Sequence, residues 1–355
     1  MTSSKRIFCI FVSLVLMLSL SFNVLAEEEA SLTSGDFGYI VLEDATVCIT
    51  SYNGNKTAVD IPAEIDGKPV STLGDELFWY KSDLTSVNLP ETVEYIGARV
   101  FQNCTSLEKI LLPDSVVEIG DACFFGCAKL AEINVPANLV YVGAFAFDET
   151  SWITQFDGCS SIILGGRVFY KYLSNEDNVV IPEGIVCISD NAFDGKSLSF
   201  VKIPESVAFI GDYAFYNCKN LKEIKLPSEV YYLGENSLGF FAGSSELDAV
   251  KDFVIYSDEN TLGESYAQEY EISLKALSEF TEPEALPEAE VCVPTAEIRD
   301  AHKSLGNAGL SQGAVVAIVL SILGCAIIVG GIAAGSHFYE KKRKQENKNT
   351  KKKKK

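Results

Sequence analysis

Apolar residues recur along the middle of the chain in a pattern that repeats about every 23 residues. The period is marked by prolines at Pro90, Pro113, Pro136, Pro182, Pro204 and Pro227, with one doubled interval of 46 residues. Apolar residues stand three and six places after each proline, and a phenylalanine stands eleven places after five of the six. A fixed period of about 20–29 residues with a Leu-x-x-Ile-x-Leu run is typical of a solenoid.

Each repeat contains signals for a strand, a corner and a short helix. The Leu-x-x-Ile-x-Leu run, as in residues 107–112, predicts one parallel strand per coil that ends at the proline. A glycine such as Gly120 predicts a corner that a side chain would obstruct. Segment 121–127 begins with a capping aspartate and predicts one or two turns of helix. The predicted fold class is therefore α/β, a leucine-rich repeat solenoid of about 23-residue repeats whose stacked coils share one core.

The repeat resembles that of a known family. Residues Ile210 to Pro227 read Ile-Gly-x-x-Ala-Phe-x-x-Cys-x-x-Leu-x-x-Ile-x-Leu-Pro. This pattern is similar to the BspA-type leucine-rich repeats of bacterial and some protist surface proteins, and the similarity extends over residues 36–275. The resemblance implies a solenoid scaffold and, because family members are linked to adhesion, a binding function. It names no partner, since one scaffold can serve many functions.

The repeats have a different pattern at each end. Residues 27–61 contain stretches of alternating polarity and predict a small N-terminal β cap, followed by the solenoid over 62–240. Residues 241–277 predict a C-terminal cap, with a strand at 253–256 and an amphipathic helix at 263–270. Such a cap is needed because a bare solenoid end would expose an apolar face and an unpaired strand edge.

The 46-residue interval predicts a degenerate coil in which Cys159 takes the place of the proline. Aromatic residues are concentrated there: Trp152, Phe156, Phe169, Tyr170 and Tyr172. We interpret them as a repaired core, with a binding patch as the alternative.

Segments outside the repeats predict where the protein resides. Residues 1–26 combine basic residues, an apolar run and small residues, which indicates a secretory signal peptide. Residues 278–312 form an acidic Pro/Glu linker. Residues 313–336 include 21 consecutive uncharged residues and predict a transmembrane helix. Because the tail 337–355 is strongly basic, we expect a single-pass protein of the cell membrane with extracellular repeats and a cytoplasmic C-terminus.

The net charge and the positions of the histidines exclude several classes of function. The formal net charge is −20 and the two termini contribute +2 and +9, so residues 27–340 carry −31. A segment this acidic repels nucleic acid and anionic lipid. The two histidines, His302 and His337, lie outside the repeats. No repeat residue can therefore supply the imidazole of a catalytic pair or a histidine ligand to zinc. We predict no catalytic residue, no metal, no cofactor and no enzyme activity.

Cysteines occupy a regular position in the repeat. Cys104, Cys127 and Cys218 each stand fourteen places after their proline, at a position predicted to point inward. Eight cysteines in a secreted chain would ordinarily suggest disulfides. A cysteine in the core instead acts as a small apolar residue, so we expect these thiols to be free.

Two columns of outward residues are candidate binding surfaces. Outward strand positions vary over a constant core, which suits recognition. The candidates on this face are Glu108, Lys109, Glu132, Asn134, Phe200, Lys202, Lys222, Glu223 and Lys225. A second column, five places after the prolines, holds Tyr95, Tyr141, Phe209 and Tyr232. We interpret this column as packing between coils, with an aromatic contact stripe as the alternative.

These features together predict a membrane-anchored, cell-surface leucine-rich repeat protein that mediates protein binding or adhesion through its solenoid face. The expected partners are an extracellular protein or glycan and the membrane, with no nucleic acid. Two alternatives are a single-span receptor that needs a cytoplasmic partner and a structural surface protein attached to the cell envelope. Attachment by a sorting enzyme is disfavoured because no Leu-Pro-x-Thr-Gly precedes the span.

Overall fold

The computed structural model describes residues 32–243 and 247–283, and the backbone of 291–292. Within these ranges the chain forms a β-solenoid, which confirms the predicted repeat of about 23 residues. The predicted signal peptide, transmembrane helix and basic tail lie outside the described residues, as does most of the linker. None of the helices in the described ranges is both long enough and apolar enough to cross a membrane.

An antiparallel sheet covers the first coil. Strands Leu32–Ser34, Phe37–Val41 and Val47–Tyr52 pair in sequence order. Val47–Tyr52 then pairs in parallel with Lys68–Leu73, which links this sheet to the first coil. Lys68–Leu73 also forms a short hairpin with Glu64–Ile65. The N-terminal sheet thus continues into the strands of the solenoid.

Each regular coil contributes two short parallel strands, whereas the sequence pattern predicted one. We call the row of strands on the side of the Leu-x-x-Ile-x-Leu runs, which pair within four separate small sheets, the run ladder. Its strands are Ala58–Asp60, Ser86–Asn88, Lys109–Ile110, Glu132–Ile133, Asn178–Val180, Phe200–Lys202, Glu223–Lys225, Val254–Tyr256 and Ser273–Lys275. The second ladder contains the aromatic column, and we call it the column ladder. Its strands are Tyr95–Ile96, Glu118–Ile119, Tyr141–Val142, Cys187–Ile188, Phe209–Ile210 and Tyr232–Leu233.

The predicted helix in each coil is wrong, and so is the α/β class, because segment 121–127 consists of turns. Its N–H groups donate between coils: the N–H of Ala122 donates to the carbonyl of Ala144 at 2.8 Å, and that of Phe124 to Ala146 at 2.7 Å. Donors used in this way cannot form the bonds of an α-helix, which run four residues back along the same chain. Ala122 also has φ 50°, a left-handed conformation that interrupts a right-handed helix.

Phenylalanine rings form a stack through the core. Neighbouring ring centroids in the first half lie 5.3–5.5 Å apart, with planes within 12° of parallel, for Phe78, Phe101, Phe124 and Phe147. The second half repeats this arrangement at 4.8–4.9 Å with Phe169, Phe193 and Phe215. The spacing is close to the separation of neighbouring strands, so each coil adds one ring to the stack.

Glycine permits the close approach of the coils at the predicted corner. A Cβ atom on Gly120 would lie 2.6 Å from the backbone nitrogen of Ala98 in the preceding coil. A Cβ atom on Gly143 would lie at the same distance, 2.6 Å, from the nitrogen of Asp121. A larger residue would have to push two coils apart at this corner.

The 46-residue interval interrupts both ladders. Trp152–Phe156 forms a 3₁₀ helix, and Ser161–Leu164 forms an antiparallel hairpin with Val168–Tyr172. Val168–Tyr172 pairs with Cys187–Ile188, whereas the first-half sheet ends at Tyr141–Val142. All five aromatic residues of this interval are buried: Trp152, Phe156, Phe169, Tyr170 and Tyr172. Their burial confirms the repaired-core interpretation and excludes the exposed binding patch.

The two halves of the solenoid pack against each other at this interruption. Ala208 and Phe209 of the second half belong to the same buried cluster as the first-half core, and Tyr141 packs against that cluster. The hydroxyl of Tyr141 donates to a carboxylate oxygen of Asp190, 2.6 Å away and 49 residues along the chain. The column ladders of the two halves therefore face each other, and this surface is internal.

A strand and a helix close the C-terminal end. Strand Val254–Tyr256 is followed by the α-helix Leu262–Glu269, close to the predicted positions. The hydroxyl of Thr261 caps this helix by accepting from the N–H of Glu264 at 3.3 Å. The buried Tyr266 lies on the helix, and its hydroxyl donates to the carbonyl of Leu238 at 3.3 Å. The helix is thereby fixed over the last coils.

The remaining elements lie around this cap. Phe240–Ala242 and Leu247–Ala249 form an antiparallel pair. A 3₁₀ helix, Leu277–Glu279, follows the last run-ladder strand. Within the predicted linker, Val291–Cys292 pairs in parallel with Ser161–Leu164 and thereby adds a strand to the second-half sheet.

Candidate binding surface

The outer face of the run ladder is open to solvent in the first half. Lys109 and Glu132 of neighbouring coils form an ion pair at 2.7 Å, with side chains 54% and 66% exposed. Leu111, which lies between Lys109 and Pro113 in the sequence, is 60% exposed. A groove of about 530 Å³ is lined mainly by residues 85–89 and 108–113. This open face presents an apolar side chain and charges of both signs to solvent.

The side chain of Asn134 extends the hydrogen bonding of this face. Its carbonyl oxygen accepts from the N–H of Leu112 at 2.7 Å, and its amide nitrogen donates to the carbonyl of Leu112 at 2.7 Å. The backbone pairing of this ladder ends just before it, at Glu132–Ile133. Asn134 is therefore a structural residue of the face, although it is exposed. Glu108, which lies opposite Ala131 and Glu132 on the same face, is exposed.

The second half of the run ladder is covered over Phe200, Lys202 and Tyr256. Phe200 was predicted to be a contact residue but is only 7% exposed, because the ring of Phe280 stacks on it at 6.3 Å. Lys202 forms an ion pair with Glu282 at 3.0 Å. The chain's own segment after the last coil thus lies on this face. Its position could not be inferred from the repeat, because the segment has no periodicity.

Three further predicted residues lie in this half. Lys225 is half-buried and pairs with Glu205 at 3.2 Å. Glu223 is half-buried and accepts from the hydroxyl of Tyr256 at 3.2 Å. Lys222 alone of the three is exposed, and its ammonium group donates to a backbone carbonyl at 3.1 Å. The structure therefore leaves Lys222 as the accessible member of this group.

The aromatic column is internal, so the contact-stripe alternative is wrong. Phe209 is 4% exposed. Tyr95, Tyr141 and Tyr232 are half-buried. The hydroxyl of Tyr232 donates to Asp212 at 2.9 Å, just as Tyr141 donates to Asp190. These phenols serve the packing between coils and between halves.

Carboxyl groups are concentrated where the two halves meet. Burial, followed by the charges of Asp121 and Asp212, raises the pKa of Asp190 to about 7 against the opposing effect of its hydrogen bonds. Burial, with the charges of Asp75 and Asp121, raises the pKa of the half-buried Glu118 to about 7. Burial also raises the pKa of Asp121. Near neutral pH this junction therefore retains protons that isolated carboxyl groups would have lost.

The inward cysteines are buried and free, as predicted. Each thiol donates to the carbonyl of a phenylalanine in the preceding coil, at 2.9–3.2 Å: Cys104 to Phe78, Cys127 to Phe101 and Cys218 to Phe193. Burial raises the pKa of Cys127 and of Cys218 to about 12. Cys159 differs from the three inward cysteines in being disulfide-bonded. That residue replaces a proline and is half-buried, outside the inward phase.

We expect Cys127 and Cys218 to resist alkylation in the folded protein and to react once it is denatured without reductant. Thiolate is the reactive form, and a raised pKa leaves almost none of it at neutral pH. Peptide mass spectrometry after alkylation measures this difference. Cys159 is the internal control, since it should be alkylated only after reduction. A crosslinked peptide that joins any two of Cys104, Cys127 and Cys218 would contradict the prediction.

Some exposed aromatic residues were missed by the sequence analysis. Trp79 and Tyr80 are 48% and 61% exposed, and their ring centroids lie 5.0 Å apart. Tyr80 has φ 57°, at the turn position where later coils place Asn103 or Gly126. Phe145 is 47% exposed with the same φ of 57°. The sequence signal that could have revealed them is an aromatic residue at a turn position with positive φ, a conformation that favours glycine or asparagine.

The described residues offer little for metal chemistry. In ranges 32–243 and 247–283, no group of three or more His, Cys, Asp or Glu side chains is placed to hold a metal ion. Both histidines of the sequence lie outside these ranges.

Stacked coils, two parallel ladders, a ring stack and a variable outer face define a repeat protein of the solenoid class. The pattern described as "BspA type Leucine rich repeat region" matches residues 71–173 and 162–275, in six copies. These residues make up more than half of the chain, which therefore belongs to the BspA-type leucine-rich repeat family. The resemblance inferred from the sequence is thus confirmed. None of the curated proteins matches the sequence.

Several solved structures are similar to this chain. A leucine-rich repeat protein from Bacteroides ovatus is 25% identical, with a TM-score of 0.34, over 64% of this chain and 56% of that protein. A T. pallidum leucine-rich repeat protein is 25% identical, with a TM-score of 0.28, over 63% of this chain and 80% of that one. A leucine rich cell surface protein from Faecalibacterium prausnitzii is 20% identical, with a TM-score of 0.25, over 64% and 88% of the respective chains. Because these TM-scores are low, family membership rests on the repeat pattern.

Proposed function

We propose that this chain is a non-catalytic, membrane-anchored surface protein that binds an extracellular protein through the first half of its run ladder. The observation that supports this choice is the difference between the two halves of one face. The first half leaves Leu111 60% exposed beside an open groove of about 530 Å³. The second half is occupied by the chain's own segment around Phe280. An ordinary interface needs about 800 Å² from each partner, which several stacked coils can supply.

The chemistry of the open half favours a protein partner. Leu111 supplies an apolar contact, and the exposed Lys109–Glu132 pair offers both a donor and an acceptor. The rest of segment 27–340 is acidic, so a partner with basic groups around a small apolar centre would be attracted to it. Anchoring rests on the sequence alone, from the signal peptide, the apolar segment 313–336 and the basic tail.

We expect Glu132→Lys combined with Leu111→Arg to weaken binding of an extracellular protein by about ten-fold or more, because the central apolar contact of the face is lost and the added positive charge repels a partner with basic groups. Surface plasmon resonance of purified protein ending at residue 312 against a panel of extracellular matrix and cell-surface proteins measures this. The matched control is Lys222→Glu, a charge reversal on the other half of the same ladder. Equal affinities for the parent and the double variant would place the binding site elsewhere.

We expect protease added to intact cells to remove the repeats and leave a small membrane-bound fragment that carries the lysines of 351–355. The reason is the proposed topology, in which the basic tail stays in the cytoplasm. An antibody against the C-terminal tail detects the fragment on a blot, and cells opened with detergent should lose the epitope. Survival of the full-length chain on intact cells would exclude an extracellular location for the repeats.

A further inference from the structure

The segment after the last coil lies across the outer face of the second half. The ring of Phe280 lies between two aromatic rings of that face, stacked on Phe200 at 6.3 Å and edge-on to Tyr256 at 5.0 Å. Two residues later, the carboxylate of Glu282 contacts the ammonium group of Lys202 at 3.0 Å. The segment thus uses two anchors, one aromatic and one acidic.

Residues from three coils build the receiving surface. Phe200 and Lys202 come from one strand, Lys225 comes from the next and Tyr256 from the one after. Phe200 and Tyr256 are 7% and 6% exposed with the segment in place. A cavity of about 220 Å³ lies beside the segment and is lined by Lys202, Lys225 and Phe280 among others. The face therefore has a place for an aromatic ring, a cation for a carboxylate, and unfilled space beside them.

The segment is held by contacts that are weak enough to exchange. The side chains of Lys202 and Glu282 remain 41% and 48% exposed, and an ion pair this accessible to solvent is weak. Phe280 is only half-buried. The segment follows directly after the last coil, so its local concentration at the face is of millimolar order. A competitor with better contacts can displace it.

We propose that the second half of the run ladder is a docking site for an extended segment of a partner protein that carries an aromatic residue two positions before a carboxylate. The chain's own Phe280-Thr281-Glu282 occupies the site when that partner is absent and so acts as an autoinhibitory contact. This inference rests on the proposed function of the run ladder as the binding face, but it concerns the half that the open groove does not use.

The test uses the full-length chain in detergent and a fluorescent peptide of residues 277–283, Leu-Ser-Glu-Phe-Thr-Glu-Pro. Phe280→Ala with Glu282→Ala removes both anchors and opens the face. In anisotropy titrations up to millimolar peptide, we expect this double variant to bind the peptide at least about ten-fold more tightly than the parent does. The matched control is Thr281→Ala, an exposed residue between the anchors, which should bind like the parent.

Charge reversal separates recognition from nonspecific adhesion. Adding Lys202→Glu to the double variant should weaken peptide binding several-fold, and a peptide with lysine in place of the second glutamate should restore it. A peptide with alanine in place of phenylalanine should not bind. If the double variant is folded by circular dichroism and binds no peptide, or binds no better than the parent, the proposal is overturned.

A second measurement applies if the double variant does not fold. The parent chain with 4-fluorophenylalanine in place of Phe280 reports on the segment through its fluorine resonance. Excess unlabelled peptide should move this resonance toward the position of a solvent-exposed ring, whereas an unchanged resonance overturns the proposal. Both readouts use the synthetic peptide, so they are independent of whether Leu111 and the open half bind an extracellular protein.

Discussion

Phe124→Ala is expected to lower the free energy of unfolding by about 3–5 kcal/mol. Phe124 is fully buried, and its ring stacks between those of Phe101 at 5.3 Å and Phe147 at 5.5 Å. Removing the middle ring leaves a cavity that the coils above and below cannot fill, because the rings on both sides are fixed by their own coils. The loss is a large part of the roughly 5–15 kcal/mol by which domains are stable. Urea denaturation followed by circular dichroism measures it.

Phe125→Ala is the matched control for this prediction. Phe125 is the next residue in the same turn but is half-buried, so its removal should cost clearly less. If the two variants unfold at the same urea concentration as the parent, the ring stack does not stabilise the solenoid.

Stability is expected to fall by about 3–7 kcal/mol as the pH rises from about 4 to about 8. Burial raises the pKa of Asp190 and of Glu118 to about 7 in the folded protein. A raised pKa means that the folded state binds the proton more tightly than the unfolded state does. The resulting stabilisation is complete below the unfolded pKa, near 4, and is lost as the pH rises through about 7. Thermal melting across this range measures the effect.

The neighbours of these carboxyl groups determine the size of the effect. The titratable or charged groups that act on them or share the junction are Asp75, Arg99, Asp121, Tyr141, Cys187, Asp212 and Tyr232. Asp190→Asn mimics the protonated form and keeps an oxygen for the N–H of Asp212, which the carboxylate accepts at 2.7 Å. We expect this variant to show a weaker pH dependence than the parent. Asp114→Asn, at an exposed carboxyl in the first half, should leave the dependence unchanged, and equal slopes for all three proteins would contradict the assignment.

The sequence was sufficient to predict the repeat, the inward residues and the family, because each depends on contacts that recur in every coil. The residues equivalent to Phe124 and Cys127 in neighbouring coils have the same surroundings, so the periodicity alone predicts that both are buried. The helix prediction failed because a capping aspartate at Asp121 is also what a turn between coils requires. Its carboxylate accepts from the N–H of Ala144 in the next coil at 2.8 Å, a bond that no local pattern indicates.

The repeat pattern predicted exposed residues correctly only in coils that contact no part of the chain except the neighbouring coils. Lys109 and Leu111 are exposed as their phase requires. Phe200 and Phe209 occupy outward phases too, yet one lies under the C-terminal segment and the other between the two halves. Neither contact recurs from one coil to the next. The position of a residue within the repeat therefore cannot predict whether such a contact buries it.

The packing of one half against the other limits how this protein can change in length. In most solenoids a coil can be added or deleted with little effect beyond its neighbours, because each coil contacts only the next. Here Tyr141 must meet Asp190 across the junction, at 2.6 Å. Inserting one coil between them would displace one partner by about 4.8 Å along the ladder, more than a hydrogen bond can span. We therefore expect homologues to gain or lose coils before Tyr141 or after Asp190, with the number of residues between these two partners held constant.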